Sequence, residues 1–281
     1  MKLKFFGALV FASFALFSCQ KKTDSNPMET KLSEDSARSA SALSTSVIEY
    51  DANGINHKGY VAYDSTLEGS LPVVLVIPEW WGLNEYVKER ANKLADLGYY
   101  AVAMDYYGDG KVVETPEDAQ KEATVFYEDP TKGQAVYEAV KTMVAKDTKA
   151  DASKMAVMGY CFGGAQALNL GRTNKELKGV VSFHGNLQTG VKPTNSSVKY
   201  LVLNGEADSF VPKEEIAAFK KEMDSMKIDY KFVNYPGAVH AFTNPSSTEV
   251  GKKFGMNIAY NKDADEKSWK EMKIFLATIF Q

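Results

Sequence analysis

The sequence has few of the residues that bind metals or form disulfides: two cysteines and three histidines in 281 residues. No cluster of His, Cys, Asp and Glu has the spacing of a metal site, and neither a dinucleotide fingerprint nor a phosphate loop is present. No internal repeat is found, and the formal net charge of −3 offers no basic surface for nucleic acid. The composition therefore predicts no metal, no cofactor and no nucleic-acid partner.

Long apolar runs are also scarce, and the one at the N-terminus is informative. Lys2 and Lys4 precede an apolar run from Phe5 to Phe17, and Ser18-Cys19 follows it. The run is too short for a stable membrane-spanning helix and has the arrangement of a signal peptide. Cleavage before Cys19 resembles that of bacterial lipoproteins, in which this thiol is acylated. We expect a signal peptide over residues 1–18 and lipidation of Cys19; an ordinary secretory signal with an incidental cysteine is the alternative.

Residues 19–45 are rich in Ser, Lys, Thr, Glu and Asp, which predicts a lipidated, flexible tether. Residues 46–281 then form a single domain, and 44% hydrophobic residues suffice for a large core. With Cys19 acylated, Cys161 has no partner for a disulfide, although exported chains usually use their cysteines in that way. An unpaired Cys161 therefore indicates chemistry.

Apolar runs typical of buried strands alternate with helical patterns along the domain. The predicted strands are Val47–Tyr50, Lys58–Tyr63, Val73–Ile77, Tyr99–Met104, Met155–Met158, Leu177–Phe183, Tyr200–Asn204 and Tyr230–Asn234. The predicted helices are Tyr86–Leu97, a helix from Pro116, Thr131–Lys146, Ala165–Leu170, Lys213–Met226 and Asp263–Ile279. Strands separated by helices predict an α/β fold, a mostly parallel central sheet with helices on both faces.

A glycine-flanked cysteine is the most informative short motif. Gly159-Tyr160-Cys161-Phe162-Gly163-Gly164 lies between a predicted strand and a helical segment. This is the context of a nucleophile elbow, G-x-S-x-G, with cysteine in place of serine. Asp208 and His240 each follow a later strand, which gives the order nucleophile, acid, histidine. A buried structural cysteine is the alternative for Cys161 taken alone, but the three residues together predict a catalytic triad.

Five segments together resemble the dienelactone hydrolase family of α/β-hydrolases. They are Pro78-Glu79-Trp80-Trp81-Gly82-Leu83-Asn84, Asp105-Tyr106-Tyr107-Gly108-Asp109-Gly110, the elbow, and the segments that carry Asp208 and His240. The resemblance extends from about Val47 to Ile279 and implies an α/β-hydrolase fold. The triad order is also the one that this fold uses.

The resemblance implies a role for each site residue. Cys161 would be the nucleophile, His240 the base and Asp208 the residue that orients it, while Glu79 would gate the thiol until substrate binds. A surface acid is the alternative for Glu79. The expected oxyanion hole consists of the backbone amides of Phe162 and Trp80, and the expected pocket residues are Trp81, Tyr107, His184 and Phe242. Packing against the core is the alternative for the two tryptophans.

Two departures from the family bear on the substrate. Asn244 stands where the namesake enzyme has an arginine that binds the substrate carboxylate, and Pro78 replaces a histidine common in relatives. Without that arginine a dienelactone carboxylate loses a charge-assisted partner worth about 1.5–3 kcal/mol. We therefore expect a hydrolase of other small esters or lactones, acting through a thioester acyl-enzyme.

Taken together, we expect a monomeric enzyme that needs no cofactor and is tethered to a membrane of the bacterial cell envelope, on a face that the sequence leaves open. A non-catalytic envelope lipoprotein that binds small molecules on the same fold is the main alternative. A serine-peptidase-like enzyme is a second one, against which the thiol and the lack of an added domain argue.

Overall fold

The computed structural model describes residues 42–281, so the predicted signal peptide, Cys19 and most of the predicted tether lie outside the described residues. Within that range the strands are β1 (Leu43–Ala52), β2 (Ile55–Asp64), β3 (Leu71–Ile77), β4 (Tyr100–Ala103), β5 (Ala150–Tyr160), β6 (Gly179–Phe183), β7 (Lys199–Gly205) and β8 (Tyr230–Tyr235). They form one sheet in the order β1-β2-β4-β3-β5-β6-β7-β8. The β1–β2 and β2–β4 pairs are antiparallel, and every other pair is parallel.

Helices cover both faces of this sheet. They are α1 (Glu85–Asp96), α2 (Pro116–Glu128), α3 (Pro130–Val144), α4 (Phe162–Thr173), α5 (Lys213–Ser225), α6 (Ser247–Phe254) and α7 (Lys262–Ile279). Side chains of α1 and α7 pack into the core on one face, and those of α2 to α5 pack into the core on the other. The predicted architecture, a mostly parallel sheet with helices on both faces, is confirmed.

The central strand β3 explains why the sheet is covered twice. Val73 and Leu75 enter the core beneath α2 to α5, while Val74 and Val76 enter the core beneath α1 and α7. All four are fully buried. A strand that is buried on both faces needs an apolar residue at every position, which is the pattern read from the sequence.

Local signals set the ends of several elements. Asn53 and Gly54 have φ values of 57° and 74° and form the two-residue turn between β1 and β2, as a type I′ hairpin requires. Thr115 caps α2 by accepting the Asp118 N–H at 3.2 Å, and Pro116 follows at the first helical position. Asp129 caps α3 in the same way through its own side chain.

Two of the differences from the prediction have a clear physical reason. Strand β1 begins at Leu43 rather than at Val47, because Leu43 to Thr45 pair with the end of β2. These residues are mostly exposed and polar, so they carry no strand pattern. Helix α6 was not predicted, since its buried residues are only Ser247 and Gly251, which form no apolar stripe. Within residues 42–281, no helix has the length and apolar character needed to span a bilayer.

Candidate active site

Cys161 lies in the sharp turn between β5 and α4. Its φ of 55° is rare for a residue with a side chain, so the turn is strained. Glycines on both sides allow the close approach: a Cβ at Gly159 would lie 2.0 Å from the Gly163 carbonyl oxygen, and one at Gly163 would lie 2.3 Å from the Ile77 carbonyl oxygen. The chain thus forms the predicted elbow, with a half-buried Cys161 at the N-terminus of α4, where helix dipoles favour negative charge.

Asp208 and His240 lie in the loops that follow β7 and β8. The Nδ1–H of His240 donates to Asp208 Oδ2 at 2.8 Å, and both residues are buried. The second oxygen of Asp208 accepts the Phe210 N–H at 2.8 Å, which fixes the orientation of the carboxylate. His240 lines the same cavity as Cys161, and the charge of Cys161 acts on its imidazole. The three residues of the predicted triad are therefore brought together in the expected order of contacts.

The charge of His240 depends on its two partners. Burial by itself lowers the pKa of His240, but the negative charge of Cys161 and the contacts with Asp208 outweigh burial and raise it to about 10. His240 is therefore an imidazolium at neutral pH for as long as a thiolate faces it. When the thiolate charge is removed, the largest cause that raises this pKa disappears, and His240 can release its proton.

His184 contacts the backbone of Cys161. The Cys161 N–H donates both to the Phe183 carbonyl oxygen at 3.0 Å and to His184 Nδ1 at 3.1 Å. Because a backbone N–H can only donate, Nδ1 accepts, and Nε2 carries the proton that it donates to Thr243 Oγ1 at 2.8 Å. Burial, with help from the charges of His240 and Arg90, lowers the pKa of His184 well below its usual range. This histidine is a neutral positioning group.

Two backbone amides beside the sulfur are available to an oxyanion. Trp80 follows β3, Phe162 opens α4, and both residues line the cavity at Cys161. Among the hydrogen bonds within residues 42–281, none is donated by the N–H of Trp80 or Phe162. Tyr107 holds the Trp80 peptide by donating its hydroxyl to the Trp80 carbonyl oxygen at 2.9 Å. These amides have the character that an oxyanion hole requires.

A cavity of about 510 Å³ opens above Cys161 and His240. Its wall also includes the predicted Trp81, together with residues that the sequence did not suggest. Those residues are Gln120, Ala123, Tyr127, Asn186, Gln188, Phe210, Glu215, Ala241, Met256 and Ile258. A cavity of this size is in the range of small-molecule sites.

Three predicted pocket residues are not on this wall. Tyr107 lies behind the Trp80 peptide, and His184 lies behind Cys161. Phe242 is fully buried between His184 and Tyr235, with ring centroids at 5.2 Å and 5.5 Å. The prediction that Tyr107, His184 and Phe242 line the pocket is corrected accordingly, because their side chains are used in packing and hydrogen bonding beneath the site.

The sequence profile of the dienelactone hydrolase family matches residues 58–280. The chain belongs to the dienelactone hydrolase family. A putative carboxymethylenebutenolidase of Aquifex aeolicus is 30% identical over 210 residues, covering 73% of this chain and 89% of the relative. Protein usf of Aquifex pyrophilus has the same identity and coverage. Membership confirms the expected family and the expected enzyme class, a hydrolase of esters or lactones.

Solved structures agree with this family and confirm the α/β-hydrolase fold. A dienelactone hydrolase-like promiscuous phosphotriesterase from metagenomic libraries superposes with a TM-score of 0.78 at 30% identity, covering 85% of this chain and 100% of the other. A putative dienelactone hydrolase from Klebsiella pneumoniae has a TM-score of 0.71 at 24% identity and covers 84% of this chain and 99% of the other, which supports the fold alone.

Glu79, the fourth predicted catalytic residue, is held by Asn244. The Asn244 Nδ2–H donates to Glu79 Oε2 at 2.7 Å, and both side chains are buried. Burial raises the pKa of Glu79. The Asn244 hydrogen bond and the positive charges of His240 and Arg90 offset part of this rise. No hydrogen bond joins Glu79 to Cys161 among the described residues. The gating role of Glu79 stays a prediction. Its hydrogen-bond partner is Asn244, the residue expected to replace the substrate-binding arginine of the namesake enzyme.

Metal ligation has no candidate group here. Within residues 42–281, no three side chains of His, Cys, Asp or Glu lie together in a way that could hold an ion.

Proposed function

We propose that this protein hydrolyses small carboxylic esters or lactones through a Cys161-His240-Asp208 triad and a thioester acyl-enzyme. The observation that carries the proposal is the position of Cys161: it sits in a strained elbow and lines a 510 Å³ cavity together with His240, which Asp208 holds. A buried cysteine with a structural role needs neither the elbow nor the histidine.

In the acylation step the thiolate of Cys161 attacks the substrate carbonyl carbon. The carbonyl oxygen takes up negative charge, which the N–H groups of Trp80 and Phe162 stabilise; one such donor is worth about 3–4 kcal/mol in a serine protease. The tetrahedral intermediate then collapses, and the His240 imidazolium donates its proton to the departing alkoxide. Asp208 keeps the ring oriented throughout.

Deacylation follows from the change in charge. Sulfur in a thioester carries no negative charge, so the cause that raises the pKa of His240 most is absent in the acyl-enzyme. The neutral imidazole accepts a proton from water, which attacks the thioester carbonyl, and the Cys161 thiolate leaves with the carboxylic acid product released. Esters and lactones suit this cycle better than amides, because an alkoxide is a better leaving group than an amide nitrogen.

A panel of p-nitrophenyl esters and simple lactones tests the proposal. The full chain with Cys19→Ser, so that Cys161 is its single thiol, is compared with the same chain carrying Cys161→Ala or His240→Ala. We expect turnover that both variants lose. Turnover that survives Cys161→Ala would reject the triad, and a folded wild type that turns over none of the substrates would favour the non-catalytic binding protein.

We further propose that the enzyme works as a monomer in the bacterial cell envelope, tethered through an acylated Cys19 after removal of residues 1–18. The lysine-flanked apolar run and the polar segment that follows support this. Metabolic labelling with an alkyne-bearing fatty acid should mark the wild-type chain and leave Cys19→Ala unmarked. Equal labelling of the two chains, or none in either, would reject the anchor.

A further inference from the structure

Within residues 42–281, the acidic side chains on the wall of the candidate active-site cavity are not balanced by Lys or Arg. The wall carries two carboxylates, Glu79 and Glu215, and no Lys or Arg among the described residues. The nearby guanidinium of Arg90 is used elsewhere, because it binds Asp265 at 2.7 Å and the Thr243 carbonyl oxygen. The Cys161–His240 pair adds no net charge to the wall, whether their shared proton lies on sulfur or on nitrogen. A ligand that enters the cavity therefore meets a negative potential.

Aromatic rings cover much of the same wall. Trp80 and Trp81 meet edge to face at a centroid distance of 5.2 Å, and Tyr127 lies on the wall with them. Phe210 is 45% exposed and packs on His240 at 5.0 Å. Aromatic faces together with carboxylates are the combination that binds quaternary ammonium groups, because the ring quadrupole attracts a cation that is weakly hydrated.

Glu215 presents this charge in a defined way. Its Oε1 accepts the backbone N–H groups of Leu187 and of Gln188, the latter at 2.8 Å. No hydrogen bond to its Oε2 is found among the described residues, and the half-buried side chain lines the cavity. Since one oxygen fixes the 187–188 loop, the other is available to a ligand.

We propose that the cavity selects ester substrates that bear an ammonium group beyond the scissile bond, with Glu215 as the specificity-determining residue. This inference rests on the proposed hydrolase function and adds the charge of its substrates. Anionic esters are disfavoured by the same field. The attraction between a cation and a carboxylate several ångströms apart is weak in water and stronger at a partly buried site. We therefore expect an intermediate effect, about tenfold in kcat/KM.

Glu215→Gln is a matched test of the charge. Both backbone hydrogen bonds go to Oε1, which the glutamine amide retains, so the loop keeps its support while the charge is lost. Glu214→Gln is the control, because this exposed neighbour on α5 makes the same charge change off the cavity wall.

The substrates are p-nitrophenyl esters of one shape: 4-(trimethylammonio)butanoate, 5,5-dimethylhexanoate and hydrogen glutarate. We expect kcat/KM to fall from cationic to neutral to anionic, and the cationic-to-neutral ratio to fall about tenfold in Glu215→Gln. The control variant should keep the wild-type ratio. A wild-type ratio of one or less, or equal ratios in wild type and Glu215→Gln, would overturn the proposal.

A second measurement does not need hydrolysis. Trimethylammonioethyl and sulfonatoethyl methanethiosulfonate both form a disulfide with Cys161 and release methanesulfinate, and their rates are normalised to those of the urea-unfolded chain. The Cys19→Ser chain should react faster with the cationic reagent, and less so with Glu215→Gln. That preference without any ester turnover would reject the hydrolase and keep the charge selection. Turnover with equal reagent rates would reject the charge selection alone.

Discussion

Removal of the Asn244 amide tests the electrostatics around Glu79. In Asn244→Ala the buried carboxylate loses the donor that lies 2.7 Å from its Oε2. We expect the variant to be less stable at about pH 8 and to recover much of the difference at about pH 4, because Glu79, whose pKa burial raises, loses its charge as the pH falls. The reason is that a hydrogen bond to a charged group contributes more than one to a neutral carboxyl.

The expected magnitude comes from the type of hydrogen bond. A hydrogen bond to an ionised acceptor contributes about 1.5–3 kcal/mol, and a neutral one about 0.5–1.5 kcal/mol. Because Glu79→Gln keeps a neutral hydrogen bond to Asn244, its coupling with Asn244→Ala should be about 1–1.5 kcal/mol at the higher pH and near zero at about pH 4. Burial raises the pKa of Glu79 in the folded protein, so its charge lowers stability as pH rises from the unfolded-state pKa through the folded one. Glu79→Gln removes that cost and should stabilise the protein at about pH 8, with no gain below about pH 4.

The assay is a double-mutant cycle by urea unfolding of wild type, Asn244→Ala, Glu79→Gln and the double variant at both pH values. Since Asn244 also accepts the Ser246 N–H at 3.0 Å, the single variant carries a second loss, which the cycle cancels. A coupling free energy that is the same at both pH values, or a Glu79→Gln that is less stable than wild type at the higher pH, would refute the reasoning.

Three further predictions concern the triad and the residues that position Cys161. In Gly163→Ala a Cβ meets the Ile77 carbonyl oxygen at 2.3 Å, so the unfolding free energy should fall by about 1–3 kcal/mol or more; an unchanged urea midpoint would contradict this. Asp208→Asn should lower kcat by about 10⁴, as in a serine triad, and move the basic limb of the pH–rate profile down, because Asp208 helps to raise the pKa of His240. His184→Leu removes an acceptor of the Cys161 N–H and should lower kcat about tenfold with little change in KM, while His184→Gln restores part of it; equal kcat in both variants would reject the positioning role.

The arrangement of Cys161, Asp208 and His240 at one edge of the sheet could be predicted from the sequence, because its signals are local. Cys161 is surrounded by glycines that the elbow cannot do without, and Asp208 and His240 each follow an apolar strand whose carboxyl end faces the same edge of the sheet. A parallel sheet turns these separate motifs into one site. No long-range information is needed beyond the topology.

The cavity wall could not be predicted in the same way. Tyr127 lies at the end of α2 and Glu215 in the first turn of α5, and nothing in either local pattern distinguishes a residue that faces the cavity from one that faces solvent. His184 was expected in the pocket because it ends a strand. Its φ of 41° and its two hydrogen bonds instead place the ring beneath Cys161. One of these bonds is to Thr243, which lies 59 positions away, so the local sequence does not indicate it.

Mass spectrometry of the trapped acyl-enzyme and its peptides tests the central claim most directly. The Cys19→Ser chain is mixed with a slowly hydrolysed phenyl ester, quenched in acid during turnover and digested. We expect one added acyl group, on the peptide that contains Cys161, and none in Cys161→Ala. Turnover during which Cys161 stays unmodified, or an acyl group carried by another residue, would contradict the account.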